Sequence, residues 1–499
     1  MKRFLATMLA GLCTATALAL PPAVEQAADY AVKHHDRDQI DLLAQLVRFK
    51  TVHVEGLPNQ SNQAFIDMKE LLANTAKTLG LDYQDLGEVV VIGLGQNEQK
   101  IGFVTHGDVQ PADERKWQRS PFELDAISEP GKLIARGAED DKGAIATALY
   151  AMHSLKQLNW PLNKRIELII AMTEESDHTP FVEFVQHYPV PQINIVIDAQ
   201  YPVVVAEKGW NSVSFRIPAS ASVGNTEASW LSEFSGGAFL SQVPEDAQAR
   251  IENADDELTI RLQKAASTQA GMQYQFKRDG RALLVQAKGK SAHSMNPEQG
   301  VNAITHLAAL LATETWPNST AAQAIHFINE RIGTGYYGEH FGELAYRHDF
   351  MGPLSVSLGT VKPNKEGIDI GINLRRPVGK SAALFEQQIR AALDSWQQRH
   401  DIKLRDLKLV IGDPYYPADA PQTPTLLQVF SHYTGIANPQ PLSIGGGTNA
   451  KQLPNAVNFG PAMPGVDYTG HSEHEFITVE QIRLNLRMYT AAMAILAGP

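Results

Sequence analysis

Clusters of carboxylates and histidines stand near the ends of apolar runs at widely separated points of this chain. Strands of one sheet that run parallel end at a common edge, so such clusters can meet in a fold that contains such a sheet. Carboxylates gathered in one cleft repel each other unless a cation lies among them. The chain is therefore predicted to fold around metal. The clusters are Thr105-His106-Gly107-Asp108, Glu139-Asp140-Asp141-Lys142-Gly143, Thr173-Glu174-Glu175, Asp198 and His471-Ser472-Glu473-His474-Glu475.

The segments between these clusters alternate between strand-like and helix-like patterns. Alternation of this kind predicts an α/β domain with a largely parallel central sheet. Apolar spacing predicts helices, whereas β-branched runs predict strands. The predicted strands are residues 89–94, 101–105, 166–172, 193–197 and 203–206, and the predicted helices are residues 142–158 and 179–187.

The length of 499 residues favours two domains. After Gly209 the pattern changes to alternating strands and polar stretches, with a helix expected over residues 297–312 behind Asn296 as its cap. We predict an inserted α+β domain at residues 209–376. The first domain, predicted to bind metal, would comprise residues 20–208 and 377–499, ending in a helix at 479–496 that a Thr478/Gln481 capping box opens.

The first 19 residues have the pattern of a secretory signal peptide. Lys2 and Arg3 precede an apolar stretch, and small residues surround a cleavage site expected after Ala19. The alternative interpretation of this segment is a short N-terminal anchor or a buried helix. The sequence predicts an exported, periplasmic protein that does not stay on the membrane after cleavage. The single cysteine, Cys13, lies in this segment, so metal ligands would be histidine and carboxylate. The net charge of −12, with no basic stripe, disfavours nucleic-acid binding.

His106 and Asp108 lie two residues apart at the end of a predicted strand, so their side chains face the same way. His106 can bind a metal while Asp108 accepts a hydrogen bond from its other ring nitrogen. Glu174 and Glu175 point in different directions, so one can bind metal and the other can move protons. The alternative interpretation of His106 and Asp108 is a surface turn, and that of Glu174 and Glu175 is an exposed loop.

The other clusters leave alternatives open when taken singly. The acids around Asp140 could favour a helix dipole, Asp198 could lie in an exposed loop, and the pattern does not say which histidine of residues 471–475 faces a site. His293 could be structural. The turn at residues 445–449 could present backbone N–H groups to an anion at a helix start.

Together, these residues resemble one family, the dinuclear-zinc exopeptidases that include bacterial carnosinase-type dipeptidases, aminoacylases and succinyl-diaminopimelate desuccinylase. The likeness is strongest to the long-lid dipeptidase branch and extends over nearly all of the chain after the signal segment. The motifs that carry it are His106-Gly107-Asp108-Val109, Trp117 with Pro121-Phe122, Gly131-Lys132-Leu133, Arg136-Gly137, Asp140-Asp141-Lys142-Gly143, Glu174-Glu175-Ser176, Asp198-Ala199, His293, Asn373-Leu374-Arg375, Gly445-Gly446-Gly447-Thr448 and His471-Ser472-Glu473-His474-Glu475.

The resemblance implies an aminopeptidase-like catalytic domain and a role for each site residue. Asp140 would bridge two zinc ions and precede a cis peptide bond, and Glu174 would be the general base. His106 and Asp198 would complete one zinc site, and Glu175 and His471 the other. Relatives often have Asp or Asn at the position of His474, which makes His474 a second candidate ligand. The residues expected to engage the substrate are His293, Arg375, Gly446, Gly447 and Thr448.

The implied activity is hydrolysis of dipeptides by a water held between two zinc ions, for which cobalt or manganese could substitute. The alternative within the same site chemistry is an N-acyl amino acid deacylase or desuccinylase. A binding protein with a vestigial site and a dinuclear phosphoesterase are more distant alternatives. The partner would be a small peptide. The resemblance identifies the inserted domain at residues 209–376 as a lid, and a long lid that supplies its own histidine implies a monomer.

Overall fold

The computed structural model describes residues 19–220, 227–417, 419–466 and 468–499. The predicted signal segment therefore lies outside the described residues, apart from Ala19. The chain forms two compact units. The first unit comprises residues up to Val205, Pro417–Pro441 and Thr448–Pro499, and the second comprises Ala206–Tyr416 and Leu442–Gly447.

The first unit combines helices with a mixed sheet. Its helices are Pro22–Leu46, Gln63–Leu79, Lys142–Gln157, Thr179–His187, Thr423–Thr434 and Val479–Ala497. Short helical turns lie at Asn59–Ser61, Glu114–Lys116 and Asn449–Gln452. The strands are Asp82–Asp85, Val89–Leu94, Lys100–His106, Lys132–Ile134, Arg165–Ala171, Asn194–Val196, Ala199–Gln200, Val204–Glu207 (which runs into the second unit), Ala456–Asn458, Pro461–Ala462 and Phe476–Thr478.

The main sheet of this unit confirms the predicted α/β class. From one edge its strand order is Asp82–Asp85, Val89–Leu94, Arg165–Ala171, Lys100–His106, Asn194–Val196, Ala456–Asn458 and Val204–Glu207. The four strands from Arg165–Ala171 to Ala456–Asn458 are mutually parallel, and the flanking pairs are antiparallel. The sheet is therefore mixed, and its parallel centre is the part that aligns strand ends.

The second unit is built on an eight-stranded antiparallel sheet. Its strand order is Gln273–Asp279, Ala282–Lys288, Asp246–Glu252, Trp230–Gly236, Ser355–Asn364, Gly367–Arg376, Gly209–Pro218 and Arg405–Ile411. Its helices are Asp256–Ala266, Ala303–Leu311, Thr320–Phe327 and Ala382–His400, with helical turns at Pro297–Gln299 and Ile328–Ile332. Shorter strands are Gln242–Val243, Ala292–His293, Arg347–His348, Gly352–Pro353 and Leu442–Ile444.

The second unit begins close to the predicted residue 209 but extends to Tyr416, well beyond the predicted end at residue 376. Strand Arg405–Ile411 pairs with Gly209–Pro218 and so completes the antiparallel sheet. Helix Ala382–His400 buries Phe385, Ile389 and Trp396 in the same core. Sheet pairing between distant residues therefore sets this boundary, and the local pattern did not reveal it.

The capping of two predicted helices differs from the prediction. Residues 297–299 form only a short turn, and the helix that follows is capped by Asn302, whose Oδ1 accepts from the N–H groups of Ile304 and Thr305. Asn296 is therefore not the cap. Thr478 does cap Val479–Ala497, but the Gln481 side chain donates to Pro461 and Asn485, so only half of the capping box forms. Among the described residues, no helix combines the length and apolar character that crossing a bilayer requires.

Candidate metal centre

The parallel strands place His106 and Glu175 at one edge of the first unit's sheet. His106 ends its strand directly opposite Ala171, in parallel register. The chain then continues from Ala171 through Met172 to Glu174 and Glu175. On the other side, Val104 is opposite Val196, so Asp198 follows within two residues. Buried apolar residues fix this register, because a slip by one residue would turn each strand's side chains to the opposite face.

His106, Asp140 and Asp198 form one group of candidate ligands. Their ligand atoms all lie within 4.8 Å of one another. His106 Nε2 lies 2.9 Å from Asp140 Oδ1 and 3.5 Å from Asp198 Oδ1. His106 is fully buried, so this imidazole edge faces carboxylates and not bulk water.

Asp140, Glu175 and His471 form a second group with the same spacing. His471 Nε2 lies 3.0 Å from Asp140 Oδ2 and 2.8 Å from Glu175 Oε1. Asp140 thus belongs to both groups and presents a different oxygen to each. The peptide bond between Asp140 and Asp141 is cis, as the resemblance implies. All five predicted ligands converge on this place.

The donor types in these groups fit zinc. Imidazole nitrogen and carboxylate oxygen are ligands that zinc accepts, and a carboxylate common to two ligand groups is what a pair of ions requires. The same donors also suit cobalt and manganese. The residues present therefore fit the cofactor that the sequence predicts.

The electrostatics of the cluster also favour bound cations. Burial, followed by the charge of Asp198, raises the pKa of Glu174 well above its ordinary value. Burial likewise raises the pKa of Asp198 to about 6. Burial alone would lower the pKa of His106, but the charge of Asp198 and hydrogen bonds to carboxylates raise it well above the usual range. Glu174, Asp198 and His106 would thus hold protons that offset part of the negative charge of the cluster. Bound metal ions would supply positive charge at the same place.

Asp108 has a different hydrogen-bonding role from the one predicted. His106 Nδ1 lies 3.0 Å from the backbone carbonyl of Asp108 and 3.5 Å from its carboxylate. The carboxylate instead accepts from the backbone N–H groups of Glu174, at 3.1 Å, and Glu175, at 2.9 Å. Asp108 therefore orients the imidazole mainly through its main chain, while its side chain holds the loop that carries Glu174 and Glu175.

Glu475 holds the backbone of the bridging residue and was not predicted to do so. Its Oε1 accepts from the N–H groups of Glu139, at 3.0 Å, and Asp140, at 3.1 Å. Its Oε2 forms a buried ion pair with Arg136 at 2.7 Å. The motif containing Glu475 gave its location, but only the fold shows which backbone groups it binds.

The structure also separates the two histidines of this loop. His471 belongs to the second ligand group, whereas His474 Nε2 contacts Glu129 Oε1 at 2.5 Å, and its side chain is 47 % exposed. Glu473 accepts from Trp117 Nε1 at 2.8 Å. His474 is thus not among the candidate ligands, although the sequence left that possibility open.

Two predicted substrate-binding residues lie in the second unit. His293 Nδ1 accepts from the N–H group of Met295 at 3.1 Å, so the neutral ring carries its proton on Nε2. Arg375 is 4 % exposed and donates to Asn373 Oδ1 at 2.9 Å and to Ser294 Oγ at 3.2 Å. Burial lowers the pKa of Arg375 to about 10. No carboxylate of the described residues offsets this shift.

The glycine-rich turn is divided between the two units. Gly446 and Gly447 belong to the second unit, whereas Thr448 belongs to the first. Thr448 Oγ1 donates to Asn458 Oδ1 at 3.0 Å and accepts from the N–H group of Ala450 at 3.1 Å. Only a short helical turn, Asn449–Gln452, follows where the sequence suggested a helix start.

The chain belongs to peptidase family M20/M25/M40, whose family model matches residues 102–494. It is 28 % identical over 445 residues to YtjP of Bacillus subtilis (strain 168), which is named provisionally as a dipeptidase; the match covers 89 % of this chain and 91 % of YtjP. It is 26 % identical over 431 residues to the Beta-Ala-Xaa dipeptidase of Lactobacillus delbrueckii subsp. lactis, covering 86 % of this chain and 88 % of that protein.

A solved structure with the same fold is that of human carnosine dipeptidase 1. Its TM-score is 0.58 at 17 % identity, and the match covers 96 % of this chain and 100 % of that one. At this identity the match establishes the fold alone. Family membership identifies the chain as a metallopeptidase, and the convergence of His106, Asp140, Glu175, Asp198 and His471 agrees with that class.

Proposed function

We propose that this protein is a dipeptidase that uses two zinc ions to hydrolyse the peptide bond of dipeptides. The observation that carries the proposal is the bridging position of Asp140, which faces His106 through one oxygen and His471 through the other. Relatives over most of the chain are named as dipeptidases, which supports this substrate class.

The chain's own residues supply a complete set of roles for this reaction. His106, Asp140 and Asp198 would hold one ion, and Asp140, Glu175 and His471 the other. When bound, such ions polarise the scissile carbonyl and acidify the attacking water. Glu174 would take the proton from that water, and its raised pKa suits a group that then returns the proton to the leaving amine.

Substrate binding would fall to the other predicted residues. His293, with its proton on Nε2, would donate to the oxyanion that forms on the carbonyl. Arg375 would bind the terminal carboxylate of the substrate, because a buried guanidinium is stabilised by an anion and can hold a carboxylate through two hydrogen bonds. Gly446, Gly447 and Thr448 would assist at the same carboxylate.

Export to the periplasm and a monomeric state are further parts of the proposal. The signal pattern of residues 1–19 supports export. N-terminal sequencing of secreted protein should find a mature chain that starts at Leu20. The long second unit contains its own His293, which supports a monomer. Sedimentation should therefore give the mass of one chain, and a tight dimer would contradict this.

The decisive experiment is hydrolysis of a dipeptide panel by the purified protein after reconstitution with zinc, cobalt or manganese. Released amine should be seen with dipeptides and should be absent in a chelated sample. N-acyl amino acids are tested in parallel. Cleavage of these compounds but not of dipeptides would replace the proposal with a deacylase, and a protein that binds metal but hydrolyses neither class would overturn both.

A further inference from the structure

Two neutral side chains donate hydrogen bonds to the carboxylates of the candidate metal centre. Tyr468 Oη donates to Asp140 Oδ2 at 2.5 Å. Gln110 Nε2 donates to Glu175 Oε2 at 2.8 Å. Neither residue was identified from the sequence, and neither is a candidate metal ligand itself.

Both hydrogen bonds lie on the same side of the centre. Asp140 Oδ2, which accepts from Tyr468, is also the oxygen that faces His471 at 3.0 Å. Glu175 offers Oε1 to His471 and Oε2 to Gln110, so its two oxygens have separate partners. Both donors therefore act on the group formed by Asp140, Glu175 and His471, which we call the His471 site.

The other ligand group receives this kind of support only through the shared Asp140. We call the group of His106, Asp140 and Asp198 the His106 site. Asp140 Oδ1 contacts His106, and among the described residues the carboxylate of Asp198 accepts no hydrogen bond from a neutral side chain. The two sites thus share Asp140 but differ in how their carboxylates are held.

Both donors are themselves held in place by the first unit. Thr469, next to Tyr468, is bound through its N–H group and its hydroxyl to Glu139 Oε2, each at 2.7 Å. Val109, next to Gln110, donates its N–H group to the Thr51 carbonyl at 2.9 Å. The backbone that carries Tyr468 and Gln110 is therefore held on the side of these neighbours.

We propose that Tyr468 and Gln110 are positioning residues: Gln110 raises the metal affinity of the His471 site alone, and Tyr468 raises that of both sites through the shared Asp140. A donor to a ligating carboxylate fixes the orientation of its oxygens, and losing such a partner typically lowers metal affinity about 10–100-fold. Because both donors are neutral, they orient the carboxylates without adding a positive charge that would repel the metal. The inference rests on the two-ion centre proposed above.

The test is a calorimetric titration of metal-free protein with zinc. The wild-type protein should bind two ions in two steps. Gln110→Met should weaken one step by at least tenfold and change the other by less than threefold, whereas Tyr468→Phe should weaken both steps. Tyr83→Phe is the matched control, because it removes a phenol that donates only to the Lys69 carbonyl, and both of its steps should equal those of the wild type.

A second pair of variants assigns the affected step. His471→Ala removes the His471 site and should leave a single binding step. Adding Gln110→Met to His471→Ala should leave that remaining step unchanged, whereas adding Tyr468→Phe should weaken it. Equal weakening of both steps by Gln110→Met, or no weakening by either variant, would overturn the inference while the two-ion centre stands. A wild-type protein that binds fewer than two ions would overturn the centre itself and this inference with it.

Discussion

At Asp140, one carboxylate serves two imidazole rings. Its Oδ1 lies 2.9 Å from His106 and its Oδ2 lies 3.0 Å from His471, while Glu475 holds its backbone N–H group. Burial would raise the pKa of Asp140, but hydrogen bonds to the two histidines lower it well below the ordinary value. Asp140 is therefore well suited to remain ionised between two cations.

Glu174 is the residue whose loss should separate chemistry from metal binding. Glu174→Gln keeps the shape of the side chain but removes the group that accepts the proton, so kcat for a dipeptide should fall by at least about 10²-fold. Metal analysis should still find two ions per chain, because Glu174 is outside both ligand groups. Glu183→Gln, an exposed change, is the control and should retain full activity. Retained turnover in Glu174→Gln would remove Glu174 from the base role.

Arg375 should act on substrate binding through the terminal carboxylate. Arg375→Lys keeps a positive charge but cannot form the same two parallel hydrogen bonds. The KM for a dipeptide should therefore rise at least tenfold. A dipeptide amide, which lacks the carboxylate, should be cleaved by the variant and by the wild type with similar kcat/KM. If the variant lost the same factor on both substrates, Arg375 would not be the carboxylate-binding group.

At the scale of single residues, the sequence named the candidate ligands but not the residues that hold them in place. Five residues stand in motifs whose residue types indicate metal binding. They are His106, Asp140, Glu175, Asp198 and His471. Gln110, Tyr468 and Glu475 act through hydrogen bonds to specific oxygens and backbone groups. A glutamine or tyrosine in a loop gives no sign of such a partner, since the partner is distant in sequence.

Among the elements, the parallel strands do most to build the site. Lys100–His106 and Arg165–Ala171 run side by side with His106 opposite Ala171, so their following residues reach the same edge. Their apolar runs, rich in β-branched residues, are sufficient to predict both of them as strands. The antiparallel neighbours at the sheet's edges were not specified, because an apolar run carries no information on the direction of its partner.

The C-terminal helix Val479–Ala497 offers a test at this scale. Thr478 Oγ1 accepts from the N–H group of Gln481 at 3.0 Å, which satisfies a donor that the helix cannot satisfy itself. Thr478→Ala should lower the free energy of unfolding by about 1 kcal/mol. Urea denaturation measures this loss, and Thr478→Ser should restore most of it. An unchanged midpoint in Thr478→Ala would show that the cap contributes nothing to stability.

For the whole molecule, bound metal should contribute to thermal stability. A ligand that binds only the folded state stabilises it by about 2.7 kcal/mol at a concentration 100 times its Kd. Removing the metal with a chelator should therefore lower the Tm by several degrees, and excess zinc should restore it. A variant with both His106→Ala and His471→Ala should show no such response. Identical melting of chelated and zinc-loaded wild-type protein would contradict a metal centre that is linked to folding.

Sequence alone determined the α/β class, the metal chemistry and the residues expected to perform it, because these depend on residue types and on local periodicity. Tertiary structure decided what depends on pairing between distant segments. Strand Arg405–Ile411 joins the second unit by pairing with Gly209–Pro218, and this moves the boundary from the predicted residue 376 to Tyr416. The tertiary structure also distinguished His471 from His474, and it determined the hydrogen-bond partners of Asp108, Gln110 and Tyr468. Local sequence specifies what a side chain can bind, whereas the fold determines which groups come within its reach.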